Sequence, residues 1–124
     1  MYKLVAIDMD GTLLREDKTV SDRTKSAIKA AYAKGAKIVL ASGRPLEGLL
    51  RYIEELGIYS NQDYVLSYNG SLVQNVETKE VICKNILSGK DLHRLYDLSK
   101  EIGVNLHAFS KQGCITPKIS EYSE

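Results

Sequence analysis

The chain has 124 residues, within the usual size of one domain, and is 44% hydrophobic and 27% charged. That composition belongs to folded globular proteins and argues against disorder, collagen and low-complexity sequence. Seventeen basic against sixteen acidic side chains leave a net charge of +1, which provides no bulk positive charge for a nucleic acid backbone. The longest apolar runs, such as Leu4–Ile7 and Ile38–Ala41, fall far short of the ~20 residues that span a bilayer, and the N-terminus lacks the apolar core of a secretory signal. Cys83 and Cys114 lie far apart and form no Cys-x-x-Cys pair, so they read as reduced thiols of a cytoplasmic protein. His93 and His107 are isolated and read as surface or half-buried side chains.

Lys3–Asp8 is a short continuous apolar run, the pattern of a strand buried on both faces of a parallel sheet. Arg15–Val20 is polar and predicts a turn or small hairpin. Ser21 is a good N-cap with Asp22 in the first turn, and Ala27, Ile28, Ala31 and Tyr32 recur at helical spacing up to Gly35. Ala36–Ala41 is a second buried-strand run. Pro45 suits the first turn of a helix whose apolar face is Leu46, Leu49, Leu50, Ile53 and Leu56, with Gly57 as its stop. Tyr64–Tyr68 is a third strand, ended by Asn69-Gly70. This β-α-β-α-β order predicts an α/β fold with a Rossmann-like parallel sheet. Ser71–Asn75 and Glu80–Asn85 then read as a hairpin joined through Val76–Lys79. Ser88 caps a further helix with Leu92, Leu95, Tyr96 and Leu98–Ser99 as its stripe and Gly103 as its stop. Val104–Phe109 reads as a strand and Cys114–Thr116 as a weak one, while Glu121–Glu124 carries no finishing signal. Core packing is the expected role of Tyr96 and Phe109. A boundary near Leu87 divides a core, residues 1–86, from a second unit, residues 87–124.

Open α/β sheets bind ligands beyond the carboxyl ends of their strands. Asp8 and Asp10 follow the first strand, Ser42, Gly43 and Arg44 the second, and Asn69 and Gly70 the third. Two carboxylates two residues apart repel one another unless a cation compensates, and Mg²⁺ is a natural compensator because it takes oxygen ligands. With that charge screened, one Asp can attack a phosphorus atom while the other moves the proton. Gly11 permits a tight turn with amides facing a phosphate, and the Thr12 hydroxyl is placed to hold the loop. Ser42-Gly43 offers a hydroxyl and amides ahead of a helix. Arg44 either faces phosphate or pairs with a carboxylate, and both stay open. Singly, each motif is also an ordinary turn or helix start; together, at successive strand ends, they point to one site.

Asp8-Met9-Asp10-Gly11-Thr12-Leu13-Leu14 after an apolar strand resembles the first motif of the haloacid dehalogenase superfamily. Ser42-Gly43-Arg44-Pro45 is similar to the second motif of its Cof-type branch, and Tyr68-Asn69-Gly70 to that branch's Asn-Gly turn. The resemblance implies a Mg²⁺-dependent phosphatase of small phosphorylated metabolites such as sugar phosphates, working through an aspartyl-phosphate. Asp8 would be the nucleophile and Asp10 the general acid/base. Mg²⁺ would be held by the Asp8 side chain and the Asp10 carbonyl. Phosphate would be bound by Ser42, Gly43 and the amides of Met9 and Asp10, with Arg44 beside them and Thr12, Asn69 and Gly70 near the substrate. The segment from Leu87 resembles the start of the α/β cap that this branch inserts. The family's third-motif lysine and fourth-motif acidic cluster have no match, since Lys84, Lys90, Lys100, Lys111 and Lys118 lie within or before the cap. The expectation is an incomplete core, the N-terminal part of a protein about twice as long, weakly active or inactive alone and prone to self-association through an uncovered sheet edge. The competing expectations are a phosphate- and Mg²⁺-binding or phosphoacceptor module without turnover, and an interaction domain whose loops are only turns.

Overall fold

The computed structural model describes residues 2–110 and 113–117. Its elements run β1 (Leu4–Asp8), α1 (Asp22–Ala33), β2 (Lys37–Ala41), α2 (Leu50–Leu56), β3 (Tyr64–Ser67), β4 (Leu72–Asn75), β5 (Val81–Lys84), α3 (Gly89–Ile102), β6 (Ala108–Ser110) and β7 (Gly113–Ile115). They fall into two units, Met1–Ile86 and Leu87–Glu124. The expectations placed on Lys111, Lys118 and Glu121–Glu124 lie outside the described residues.

In the first unit β1 to β5 form one sheet in sequence order. β1, β2 and β3 pair in parallel, as α1 and α2 carry the chain back each time. β4 and β5 then continue the same sheet antiparallel. The sheet is therefore mixed rather than purely parallel, because a short loop after β3 can only return the chain antiparallel. The helices start and stop where side chains satisfy their orphan amides and carbonyls. Ser21 Oγ accepts from Thr24 N at 3.1 Å. Beyond Lys34, the amides of Gly35 and Ala36 close on the Tyr32 and Ala31 carbonyls at 2.9 and 3.1 Å, the paired bonds of a Schellman stop. The helix expected from Pro45 onward is broken. Leu46–Gly48 is a 3₁₀ turn, and α2 begins only at Leu50.

One apolar core lies between the helices and the sheet, with Leu40, Leu49, Ile53, Leu56 and Val65 at its centre. β2 and β3 contribute inward residues at alternate positions, and α1 and α2 meet over them. β1 departs from expectation. Its apolar run is not buried on both faces, for Leu4 is 57% and Val5 38% exposed. The cause is position: β1 is the outer strand of the sheet and pairs on one side only. The third strand ends at Ser67 rather than Tyr68, whose backbone is left-handed with φ 52°.

In the second unit α3 is capped by Ser88, whose Oγ accepts from Asp91 N at 3.1 Å, and stopped by left-handed Gly103. β6 and β7 pair antiparallel, and Leu92, Tyr96, Leu106, Ala108 and Ile115 line a groove of about 220 Å³. Strand structure begins at Ala108, not Val104. The apolar stripe of α3 is largely uncovered within this unit, for Leu95 and Leu98 are exposed and Ser99 is the buried residue of the helix. Tyr96 is half-buried on the groove, while Phe109 is exposed, edge-on to His107, rather than packed in a core.

Leu40 is fully buried in β2, so Leu40→Ala should cost the first unit about 2–5 kcal/mol. Guanidinium unfolding of the two proteins checks this by a lowered midpoint.

Candidate active site

The first loop is a short chain of alternating fates. Met9 is fully buried, and Leu13 and Leu14 are buried in the same core, while Asp8 and Asp10 face solvent. Leu13 N donates to Asp8 O at 3.1 Å and Leu14 N to Met9 O at 2.9 Å, which closes the loop over Gly11. Gly11 needs its φ of +81°, a region that side chains disfavour. The apolar side chains thus pin the loop from beneath and present the two carboxylates above it. The Thr12 hydroxyl forms no hydrogen bond among the described residues, so backbone amides, not this side chain, hold the loop's shape. Thr12 lies toward a groove shared with Val5 and α1.

The second and third loops are tied directly to one another. The parallel register sets Asp8 beside Ala41 and Ala41 beside Leu66, so all three loops leave the sheet at one edge. Ser42, itself buried, donates its amide to Leu66 O at 2.9 Å, and its Oγ accepts from Arg44 N at 3.2 Å. Asn69 N donates to Ser42 O at 2.9 Å, and Tyr68 N to Arg44 O at 3.2 Å. A Cβ on Gly43 would lie 3.1 Å from Asn69 Oδ1, so the bare glycine lets the Asn69 side chain close over the second loop. Tyr68, Asn69 and Gly70 are all left-handed, with φ 52°, 57° and 84°. Two of these are not glycine, a conformation that side chains resist. Beneath them the Ser67 hydroxyl is buried without a partner among the described residues.

Charge at the site converges on Asp10. Arg44 grips its carboxylate with two bonds, Nε to Oδ2 at 3.0 Å and Nη2 to Oδ1 at 2.8 Å. Lys18 Nζ adds a third at 2.9 Å. Of the two roles open to Arg44, the geometry shows carboxylate pairing. The Arg44 hydrogen bonds first, and the Lys18 bond second, hold the Asp10 pKa down to about 2. The three side chains are partly exposed, so this network is worth less than a buried one, although the two-point Arg contact is the strongest surface geometry. Lys18 and Tyr52 have no place in the motifs. Lys18 sits in the turn closed by Arg15 N to Thr19 O at 2.9 Å, and Tyr52 on α2 is 1% exposed. The sequence signal for Tyr52 is faint: a polar-tipped residue three positions after Leu49 on an apolar helix face.

The first loop offers oxygen donors only, the Asp8 carboxylate and the Asp10 carbonyl, and hard oxygens suit Mg²⁺. The fit is partial. Among the described residues no group of three or more His, Cys, Asp or Glu side chains is gathered for a metal, and the Asp10 side chain is already taken by two cations. No helix of the described residues is long and apolar enough to cross a membrane.

Comparison with known proteins identifies the family. The family model for haloacid dehalogenase-like hydrolases matches residues 5–124. The Bacillus subtilis protein YxeH is 48% identical over 99% of this chain and 46% of its own length. An HMP-PP phosphatase from Enterobacter sp. strain 638 is 30% identical over 95% of this chain and 42% of its own. Among solved structures, a haloacid dehalogenase-like hydrolase from Bacteroides thetaiotaomicron superposes with a TM-score of 0.82 at 30% identity, covering 98% of this chain and 46% of that one. A sugar phosphatase of subclass IIB of the superfamily gives 0.80 at 25% identity, covering 98% of this chain and 46% of that one. The chain therefore spans less than half the length of these relatives. With its three strand-end loops, its α/β sheet and a family match over nearly its whole length, the chain belongs to the haloacid dehalogenase-like hydrolases.

Proposed function

We propose that the protein is a Mg²⁺-dependent phosphatase of small phosphorylated metabolites, sugar phosphates among them. The observation that carries this is the convergence of Asp8, Asp10 and Ser42-Gly43 on one sheet edge. The names of the relatives support the substrate class. In this scheme an Asp8 oxygen attacks phosphorus in line, and the new O–P bond forms as the ester P–O bond breaks. Asp10 gives its proton to the departing alkoxide. Water then attacks the aspartyl-phosphate, Asp10 takes the water's proton, and the Asp8 carboxylate and phosphate separate. Ser42 and the amides of Gly43, Met9 and Asp10 hold the phosphoryl oxygens, with Asn69 and Gly70 beside the substrate. The Asp8 carboxylate and Asp10 carbonyl would hold Mg²⁺, which when bound screens the repulsion between carboxylate and phosphate.

Asp10 is the demanding member of this scheme. Held by Arg44 and Lys18 it is an anion at neutral pH, fit to take the water's proton but not to give one in the first step. A phosphate dianion competes for the same two cations, so an arriving substrate favours the protonated acid by drawing them away. The same network supports a second reading, a phosphate- and Mg²⁺-binding module without turnover, because it stabilises the state that cannot donate. The free thiols Cys83 and Cys114, both exposed, fit a reducing compartment such as the cytoplasm. We further propose that the 124-residue chain self-associates along the open side of β1, where apolar Leu4 and Val5 flank unpaired backbone.

In the full-length protein, Mg²⁺ should be required for hydrolysis of p-nitrophenyl phosphate and sugar phosphates, and Asp8→Asn should lower kcat by about three orders of magnitude or more. Tight binding of Mg²⁺ and beryllofluoride with no turnover would instead select the binding module. Arg44→Ala should raise the Asp10 pKa from about 2 toward its ordinary 3.8, read by NMR titration of its carboxyl carbon. The sign follows from linkage. Because the folded pKa is depressed, the pairing stabilises the fold above about pH 4 and is lost as pH falls toward 2, so Arg44→Ala should flatten stability over that window. Sedimentation of the 124-residue chain should show mass rising with concentration, and Val5→Lys should abolish the rise; a monomer at every concentration would refute self-association.

A further inference from the structure

The partners of Asp10 are themselves held in place, and one buried side chain touches both. Tyr52 is 1% exposed, and its ring is fixed in the core beside Leu49, Ile53 and Leu56. Its hydroxyl donates to the Lys18 carbonyl at 3.0 Å. Lys18 is left-handed, with φ 61°, a conformation that costs a lysine free energy and needs a tether. The Tyr52 hydroxyl supplies that tether, 34 residues away in sequence. Arg51 completes it: its Nη2 contacts the Tyr52 hydroxyl and approaches Lys18 O at 3.5 Å, while its guanidinium lies 4.4 Å from the ring centroid. The Arg44 guanidinium stands 5.9 Å from the same centroid, within cation–π range. One rigid ring therefore locates the turn that delivers Lys18 Nζ and the guanidinium that delivers Arg44 to one carboxylate.

We propose that Tyr52 is a positioning residue that sets how Lys18 and Arg44 hold the Asp10 carboxylate, acting through them rather than by touching substrate. The inference rests on the acid/base role proposed for Asp10, and it adds a residue that no motif contains. The hydroxyl fixes the Lys18 turn by a directed hydrogen bond. The ring limits where Arg44 can lie by contact and cation–π attraction. Tyr52→Phe removes the first and keeps the second, because phenylalanine fills the same buried space.

The test compares wild type, Tyr52→Phe, Lys18→Ala and the double variant in the full-length protein, with p-nitrophenyl phosphate and Mg²⁺. Tyr52→Phe should lower kcat about tenfold with KM changed less than about twofold, since a shifted proton donor impairs chemistry more than binding. The double variant should be no slower than the slower single variant, because both changes act on one contact. A structural readout runs beside the kinetics: in nitrogen-15 spectra Tyr52→Phe should move the Lys18 ammonium signal toward that of a free surface lysine. Unchanged kcat, fully additive losses, or an unmoved Lys18 signal in a well-folded Tyr52→Phe protein would each overturn the proposal. Absence of turnover in the wild type would sink the phosphatase reading on its own. The Lys18 signal would then still decide whether Tyr52 sets the Lys18–Asp10 contact.

Discussion

Parallel pairing of β1 with β2 and of β2 with β3 is the constraint on which the site depends. A parallel ladder sends every strand the same way, so three chain segments separated by 30 residues or so must end at one edge. Nothing in the loops needs to seek the others. Asp8 stands beside Ala41 and Ala41 beside Leu66 because the ladder sets them there, and the loops inherit that alignment. The buried residues between the polar ones finish the placement. Met9 divides Asp8 from Asp10 and is itself driven into the core, so hydrophobic burial aims the carboxylates outward. A polar residue at that position would weaken the anchor of the loop as well as the core.

The electrostatics of the site pull against the acid–base role proposed for Asp10. A group that must give a proton in one step and take one in the next works best with a pKa near the working pH. Asp10 is held far below that, at about 2, by Arg44 and Lys18. The network therefore holds Asp10 charged, with both cations occupied by its carboxylate. A phosphate that enters with two negative charges competes directly with the Asp10 carboxylate. In the proposed phosphatase the cations would then be shared between substrate and acid, linking binding of charge to the protonation that the proposed first step requires.

Elements with local causes were legible in the sequence, and those with distant causes were not. Ser21, Gly35, Gly57, Ser88 and Gly103 each mark a helix end through their own side chain or backbone freedom, so a single residue suffices to read them. The three strand-end motifs were legible because each is contiguous. The exposure of β1 was not, since Leu4–Ile7 looks the same at the edge of a sheet as in its middle. The break after Gly48 was hidden because Leu46, Leu49, Ile53 and Leu56 keep one apolar face through the 3₁₀ turn. Lys18 and Tyr52 were invisible for a third reason. Their roles come from a contact across 34 residues, which neither periodicity nor motif spacing encodes. The even balance of 17 basic and 16 acidic residues hid it further, for a net charge near zero says nothing about three charges gathered at one point.

The loop after β3 shows how a turn signal becomes part of a site. Asn-Gly is a turn in any sequence, and the left-handed φ of Asn69 and Gly70 fits that reading. Tyr68 does not, because an aromatic residue at φ 52° gains nothing locally from the left-handed region. The compensation lies in the neighbouring loop. The Tyr68 and Asn69 amides both donate to carbonyls of the second loop, those of Arg44 and Ser42, so a strained backbone in one loop is fixed by acceptors in another. Gly43 makes the approach possible by leaving room for Asn69 Oδ1. The second and third loops therefore form one rigid piece. A change in the backbone at Asn69 is transmitted to Ser42 directly, and to Arg44 through the neighbouring Tyr68 amide, by two backbone hydrogen bonds.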